Sequence, residues 1–486
     1  MRKTARPGHF RNRNAAGPVS YRMASGREMK KLSLANVIPG LLLLSASLLA
    51  QRSPAPQNPN LLILMADDLG WNDVGYHGSE ISTPNIDRLV REGVELDRFY
   101  AYPVCSPTRT ALMTGRSPVS IGIVNAVRGF GDGLPPDEHL MPESFKAAGY
   151  QTFIAGKWHL GSDHVKYFPQ NRGFDYFYGH LGGNLDYYTH VYGGRLDWQR
   201  NGVTVREPGY TTDLIVRETV QWLEGRDKDK PVLLFLSFNA PHFPLAAPPE
   251  SIAKYEHLPD QNRRTFVAAV DAMDLAIGKV LATLDGQGMS DNTLVLWLSD
   301  NGAVPRFGGS NVPLRGIKKD VFEGGIRVPA AMKWPGMIEA WTKSRLMITA
   351  HDLFPTLAAA CGVKPKNTKP FYGENLWAAI REGKVEPRGD VLIGDEDSWA
   401  VFHREWKYVS LIEPKSGKTE GALFRIPEDP YEKNDVSTEH PDLAQRLQSL
   451  VDAFPKKNLI EGVPRPPPRS YTENPHLQPA AEAAAR

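Results

Sequence analysis

Four stretches of the chain are apolar without interruption, and each stops at a polar cluster. Asn60–Ala66 ends in Asp67-Asp68, and Thr152–Ala155 ends in Gly156-Lys157-Trp158-His159. Val232–Phe238 ends in Asn239-Ala240-Pro241-His242, and Thr293–Leu298 in Ser299-Asp300-Asn301. A continuous apolar run of this kind predicts a strand buried on both faces. Helical patterns lie between the runs. Thr83-Pro84 opens a helix with Ile86, Leu89 and Val90 on one face, and Gly93 closes it. Phe266–Leu284 carries Val270, Met273, Ile277 and Val280 at helical spacing. Alternating strands and helices predict an α/β fold with a large, mostly parallel sheet flanked by helices. Ligands of such sheets bind outside the carboxyl ends of the strands. All four polar clusters fall there, so they are expected to converge on one site.

After about Lys364 the pattern changes. Asp397–Phe402 and Trp406–Ile412 read as strands paired around a short turn, and Ala422–Ile426 as a further strand. Asp442–Phe454 is an amphipathic helix carrying Leu443, Leu447, Leu450 and Val451. The expected organisation is a main α/β domain over residues 51–364 and a small α+β C-terminal subdomain over 365–462. A disordered, Pro- and Ala-rich tail over 463–486 follows.

Composition narrows the class. Of 486 residues, 41% are hydrophobic and 23% charged, which excludes a disordered or fibrous chain. A net charge of +2 gives no electrostatic footprint for nucleic acid. That balance hides an asymmetry: residues 1–50 hold nine Lys/Arg and one Glu, so +8, leaving −6 for the rest. Within that segment, Met29-Lys30-Lys31 precedes the apolar stretch Leu32–Ala50, interrupted by Pro39-Gly40. This pattern predicts a secretory signal, with residues 1–28 as an upstream extension and the mature chain starting near Gln51. The protein is therefore expected to be exported, periplasmic or secreted, with no stable membrane anchor. Two cysteines, Cys105 and Cys361, exclude a disulfide framework. Cys361, in Ala358-Ala359-Ala360-Cys361-Gly362, reads as a small buried apolar residue.

Cys105 has a more specific setting. It opens Cys105-Ser106-Pro107-Thr108-Arg109, followed by Thr114-Gly115-Arg116. Ser106 reads as a helix N-cap, Pro107 as the first helical residue and Gly115 as the stop. Cys105 then lies just outside a helix N-terminus, where partial positive charge favours an anion. Arg109, one turn on, can point back towards it. Asp67, Asp68, Asp300 and Asn301 offer only oxygen donors, which suit Ca²⁺ or Mg²⁺ and not zinc.

The Cys-x-Pro-x-Arg segment with its Thr-Gly-Arg resembles the signature of the type I sulfatases. The resemblance spans about Leu61 to Asp435 and includes Ala66–Gly75, Gly156–Gly161, Ser299–Gly302, Leu314–Lys318 and Glu323–Val328. Within the family the chain is most similar to arylsulfatase B, the N-acetylgalactosamine-4-sulfatase. Trp71–Gly78, Arg172–Asp175 and Asp186–His190 carry that closer match. Two positions depart from it: Ile317, where a basic residue is usual, and Ala303, where a second Gly is usual. Both touch the pocket rim and bear on the substrate rather than on the reaction.

The resemblance implies an alkaline-phosphatase-like sulfatase fold and hydrolysis of sulfate esters. It implies that a formylglycine-generating maturation enzyme converts Cys105 to formylglycine. It implies one Ca²⁺ held by Asp67, Asp68, Asp300, Asn301 and the modified Cys105. The three aspartates contribute −3 and Lys157, Lys318 and Arg109 contribute +3, so without metal the site is near neutral. In the family scheme the hydrated aldehyde attacks sulfur, Asp300 accepts its proton, and Arg109 holds the hydrate and the carboxylates in register. Lys157, His242 and Lys318 grip sulfate, either His242 or Lys318 protonates the leaving alcohol, and His159 takes a proton from the second hydroxyl to release sulfate.

The expected substrate is a sulfated carbohydrate or an aryl sulfate. The loop Gly179–Arg195, with Asn184, Asp186, Tyr187, Tyr188 and His190, suits either a sugar ring or internal packing, and Arg306 and Trp399 are candidates for the pocket rim. Two alternatives stay open: a phosphoester or phosphonate monoester hydrolase on the same scaffold, and an inactive Ca²⁺-dependent glycan-binding protein.

Overall fold

The computed structural model describes residues 58–128, 133–413 and 416–455. The leader expected before Gln51 and the tail expected over 463–486 lie outside the described residues. In chain order the strands of the main sheet are β1 (Asn60–Ala66), β2 (Val94–Leu96), β3 (Gln151–Lys157), β4 (Tyr176–His180), β5 (Gln199–Arg200), β6 (Val203–Thr204), β7 (Val232–Ser237), β8 (Thr293–Ser299), β9 (Ala330–Lys333) and β10 (Thr342–Ser344). They form one ten-stranded sheet in the order β10-β2-β9-β8-β1-β7-β3-β4-β5-β6. The central strands β8, β1, β7, β3 and β4 run parallel. Antiparallel pairs β8–β9 and β4–β5 begin the two margins. The large, mostly parallel α/β sheet expected from the sequence is the observed fold class.

The central strands are apolar at consecutive positions because both faces of the sheet are covered. Leu61, Ile63 and Met65 of β1 join one hydrophobic cluster, and Leu62, Leu64 and Ala66 join another. β8 divides in the same way, with Leu294, Leu296 and Leu298 on one side and Val295 and Trp297 on the other. Helix α1 (Pro84–Arg91) ends just before Gly93. Helix α2 (Cys105–Thr114) packs in the first cluster through Ala111, Leu112 and Met113. Helix α3 (Gln261–Gly286), wider than the periodic stretch Phe266–Leu284, covers the opposite face through Val270, Met273, Ile277 and Val280.

β3 passes very close to its neighbours where it delivers its polar end. Gly156 has φ +106°, and a Cβ there would lie 1.9 Å from the Ser237 carbonyl oxygen. A side chain at this position would force β3 and β7 apart, immediately before Lys157.

The second sheet holds β11 (Val391–Gly394), β12 (Ser398–His403), β13 (Trp406–Ile412) and β14 (Thr419–Arg425), all antiparallel. β11 has no counterpart in the sequence reading. Its run of Val391, Leu392 and Ile393 is short and follows a polar stretch, so periodicity alone does not single it out. Helix α4 (Pro441–Ala453) packs Leu447 and Val451 against Trp399, Val401 and Leu423. The other face of the sheet places Ala400, Phe402, Val409 and Phe424 in the first main cluster. The small sheet is thereby continuous with the core beneath helix α2.

Leu64 is fully buried at the centre of the sheet. Leu64→Ala is expected to lower unfolding free energy by about 2–5 kcal/mol, read as a lower denaturant midpoint at unchanged slope.

Candidate active site

The carboxyl ends of four parallel strands bring their polar clusters together. β1 runs into Asp67 and Asp68, β3 into Lys157 and His159, β7 into Asn239 and His242, and β8 into Asp300 and Asn301. The start of α2 faces them. Cys105 is the first residue of that helix and Val104 precedes it as the cap, so Ser106 is not the N-cap read from the sequence. The Ser106 hydroxyl instead donates to the His159 carbonyl at 2.9 Å and accepts from the Val127 amide. It ties the helix start to the end of β3. Asp68 and His159 both sit in the left-handed backbone region, at φ 64° and 61°. Non-glycine residues there are strained and cluster at functional sites.

Each of the three aspartates faces one cation. Lys157 Nζ donates to Asp67 Oδ2 at 2.6 Å, with both side chains fully buried. Lys318 Nζ donates to Asp68 Oδ1 at 2.5 Å. The Arg109 guanidinium donates through Nε and Nη2 to Asp300 Oδ2 at 3.2 and 2.8 Å. Its Nη1 donates to the Lys157 carbonyl and to Ser237 Oγ. Asp300 Oδ1 accepts from the Asp68 amide at 3.2 Å, and Asn301 Nδ2 donates to Asp68 Oδ1 at 2.7 Å. Burial alone would raise the Asp67 carboxyl. Lys157, with His242, Arg109 and Lys318, outweighs it and holds the group well below the usual carboxylate range. Burial also works against Asp68, and Lys318 and His242 lower it.

Cys105 lies at the middle of this group. Its Sγ lies 3.5 Å from Asp67 Oδ1, 4.0 Å from Asp68 Oδ1 and 3.3 Å from Lys318 Nζ. Burial, and then the Asp300 charge, push the thiol up to about 12. An unmodified Cys105 is therefore a neutral thiol and a weak nucleophile. Lys318 Nζ also reaches His242 Nε2 at 3.4 Å, and His242 Nε2 is 3.5 Å from Asp68 Oδ2. His242 Nδ1 is held against the Phe243 carbonyl. A carbonyl only accepts, so Nδ1 carries the proton of the neutral ring and Nε2 presents a lone pair to Lys318. Burial, followed by Lys157 and Arg109, holds His159 well below the ordinary histidine range. His159 Nδ1 is buried without a protein partner. A Cβ at Gly183 would come within 2.6 Å of His159 Nε2, so only glycine leaves room for the ring there.

Every residue named from the sequence as catalytic or metal-binding thus falls in one cluster. The rim candidates divide. His190 is buried, stacks on Trp198 with centroids 4.8 Å apart and meets the Gly209 carbonyl at 3.0 Å, so it braces its loop internally. Trp399 is fully buried in the small-sheet core and does not line the rim. Arg306 is exposed and lies over the Phe307 ring, which stacks at 4.4 Å on Phe243, the neighbour of His242. Sequence reasoning passed over Ser237, the one polar residue of the β7 run, which anchors Arg109. Tyr187, named from the sequence among loop residues suited to a sugar ring or to internal packing, is packed inward: its hydroxyl donates to the Asn239 and His242 carbonyls at 2.9 Å. Ser237 was detectable as a hydroxyl ending an apolar strand.

Oxygen-rich acids and paired cations around a helix N-terminus make a centre suited to a metal ion and an anionic group. Comparison with known proteins gives the particular kind. The sulfatase family model matches residues 59–363. Arylsulfatase J of Mus musculus is 32% identical, over 86% of this chain and 79% of its own length. N-acetylgalactosamine-6-sulfatase of Rattus norvegicus is 34% identical, over 85% of this chain and 88% of its own. Among solved structures, Ps i-CgsB superposes with a TM-score of 0.77 at 32% identity, covering 82% of this chain and 92% of that one. The chain belongs to the type I sulfatase family. It is a hydrolase of sulfate esters.

The family implies formylglycine and a metal ion, and the residues present fit both. Ligand atoms of Asp67, Asp68, Cys105 and His242 lie within 4.8 Å of one another. Asn301 Oδ1 is buried with no hydrogen-bond partner, an acceptor left over beside the acids. Such an orphaned buried oxygen suits a hard cation.

Arg109 and Asp300 are both essentially inaccessible. Removing one partner of a buried pair strands the other charge. Arg109→Met is expected to destabilise the fold by about 3–5 kcal/mol, measured by denaturant unfolding, and to lower kcat/KM for an aryl sulfate.

Proposed function

We propose that the enzyme removes sulfate from a carbohydrate, with position 105 as formylglycine and one Ca²⁺ held by Asp67, Asp68, Asp300 and Asn301. The observation that carries this reading is the placement of Cys105 Sγ at a helix start, in contact with Asp67, Asp68 and Lys318. When present, the hydrated aldehyde supplies a nucleophilic hydroxyl, and the cation supplies charge that lowers its pKa and neutralises the bound sulfate.

The remaining work falls to the chain's own side chains. Arg109 fixes Asp300 through two nitrogens, so its carboxylate is held for proton acceptance without rotating. Lys157 and Lys318 bind sulfate oxygens and stabilise the charge that develops there. His242 Nε2 and Lys318 Nζ face the same space, and the leaving oxygen takes its proton either from the Lys318 ammonium or from a His242 ring that has gained a second proton at Nε2. His159 Nδ1, buried and without a partner, is free to hold the proton abstracted when sulfate is released.

Two observations support a sugar as the leaving group. A second structure of Ps i-CgsB holds k-i-k-neocarrahexaose. Here Phe243, the neighbour of His242, stacks on Phe307, Arg306 lies over the Phe307 ring, and Asn184 Nδ2 donates to the Phe243 carbonyl. A ring face with cationic and amide neighbours suits a sulfated sugar. We place the enzyme outside the cytoplasm, on the basic-then-apolar pattern of residues 29–50. Among the described residues no helix is long and apolar enough to cross a membrane.

The test is a comparison of 4-nitrophenyl sulfate with 4-nitrophenyl phosphate, using enzyme co-expressed with a maturation enzyme. A kcat/KM favouring the sulfate by orders of magnitude is expected. Preference for the phosphate would refute the reading. Chelation followed by calorimetric titration is expected to show one Ca²⁺ binding per chain, with a raised Tm and recovered activity. Recovery with Zn²⁺ and not Ca²⁺ would reject the oxygen-donor assignment. Arg306→Ala is expected to raise KM for a sulfated oligosaccharide more than for 4-nitrophenyl sulfate, as read in parallel steady-state assays.

A further inference from the structure

The loop that carries Lys318 is anchored from the small C-terminal sheet. Its far end is Glu323, the first residue of the short helix Glu323–Ile326. Lys407 of β13 reaches Glu323 Oε1 at 2.9 Å and Glu432 Oε1 at 2.8 Å. Lys407 and Glu323 are fully buried, and Glu432 is 1% exposed. Glu432 Oε2 accepts from the Glu323 amide at 2.7 Å. Glu323 Oε2 takes the Tyr100 hydroxyl at 3.1 Å and faces Arg327 at 3.4 Å. One lysine from the small sheet therefore holds two carboxylates, one on the loop and one beyond β14.

The near end of the loop is tied to the same place. Arg315 Nη1 donates to the Glu432 carbonyl at 3.0 Å, and the guanidinium lies 3.9 Å over the Phe322 ring. It also lies 6.0 Å from the ring of Phe424 on β14. The Gly324 amide donates to the Arg315 carbonyl at 2.6 Å and closes the loop at its base. Glu432 holds a left-handed backbone at φ 52°. A strained glutamate persists only when its surroundings fix it. Both ends of 315–323 thus meet at Glu432, and Lys318 projects between them onto Asp68, Cys105 and His242.

We propose that Lys407 and Glu432 are positioning residues of the sulfatase reaction, acting through Lys318. They touch neither substrate nor metal ligands. They set the height and direction of the loop whose ammonium contacts the reacting position. A buried pair at the base is suited to this because it tolerates few alternative geometries. At the crown of the loop the Ile317 and Lys319 side chains are exposed, and the Lys318 and Lys319 amides donate to the Ala303 and Pro103 carbonyls at 3.1 and 2.9 Å, so the buried pair fixes the base while these bonds fix the crown. This inference rests on the role given above to Lys318.

A double-mutant cycle tests it. Lys407→Met and Lys318→Ala are made singly and together, and kcat/KM for 4-nitrophenyl sulfate is measured well below the Tm of each protein. In the native background Lys407→Met is expected to lower kcat/KM by about tenfold or more. In the Lys318→Ala background the same change is expected to cost less than about twofold, because the group it positions is gone. Affinity for inorganic sulfate, by calorimetry on unmodified Cys105 protein, is expected to fall with Lys407→Met and not to fall further in the double variant. Arg315→Gln provides a second cycle should Lys407→Met fail to fold, since its side chain lies at the surface. Equal losses in both backgrounds would overturn the positioning role while leaving Lys318 its own. A harmless Lys318→Ala would overturn both.

Discussion

Three carboxylates share one dry volume at the end of the sheet, and everything else answers to that. Asp67, Asp68 and Asp300 are within contact of one another's partners and almost wholly withdrawn from water. Like charges so placed raise one another: burial and then the Asp67 charge push the Asp300 carboxyl up to about 6, and without partners the three would protonate or force the strands apart. Instead each faces one cation: Lys157 from β3, Lys318 from a loop, Arg109 from α2. These cations are supplied by three different elements, so the balance exists only when β1, β3, β8 and the start of α2 are in register. Burial of both sheet faces fixes that register, because a slip of one residue would exchange the two hydrophobic clusters. The neutral total also explains the need for a further cation, since a site with no net positive charge holds a sulfate poorly.

Much of this was legible in the sequence, for a physical reason. Strands buried on both faces leave long apolar runs, and the charged residues that follow are conspicuous because the four runs themselves carry none. Asp67, Lys157, His242 and Asp300 were each visible as the first chemistry after such a run. The amphipathic helices Pro84–Arg91 and Gln261–Gly286 were legible from their period; Thr83-Pro84 and Gly93 also marked the ends of the first, while the second runs beyond its periodic stretch at both ends. What stayed hidden was long-range. The start of α2 is set by Val104, which is extended, rather than by the Ser106-Pro107 signal, because Ser106 is drawn to His159 across the site. His190 and Trp399 have the composition of ligand-contacting residues but are packed inward. Composition cannot tell an aromatic that stacks on a sugar from one that stacks on Trp198. The Lys407–Glu323–Glu432 cluster joins residues up to 109 positions apart, and periodicity carries no trace of such a contact.

The small sheet is therefore more than an appendage to the α/β core. One of its faces completes the cluster beneath α2, and its lysine and the segment after β14 grip the loop above the site. The two sides of the reaction centre have different origins. Asp67, Asp68, Asp300, Arg109 and Lys157 belong to the rigid sheet and the helix packed on it. Lys318 and the His242 neighbourhood belong to loops, the parts to which the proposed mechanism gives the leaving group. A scaffold divided in this way can keep its chemistry while its mouth changes: Ile317 is exposed on the Lys318 loop, whereas Ala303, expected from the sequence at the rim, is fully buried beneath it.

The central claim is that the thiol encoded at position 105 is not the group that reacts. The most direct test is the mass of the proteolytic peptide containing Cys105, taken from enzyme whose turnover of an aryl sulfate has been measured on the same sample. The account predicts a peptide lighter by the difference between a CH₂SH side chain and a CHO side chain, with activity proportional to that fraction across preparations. Full activity in a sample whose peptide retains the unmodified thiol would contradict it.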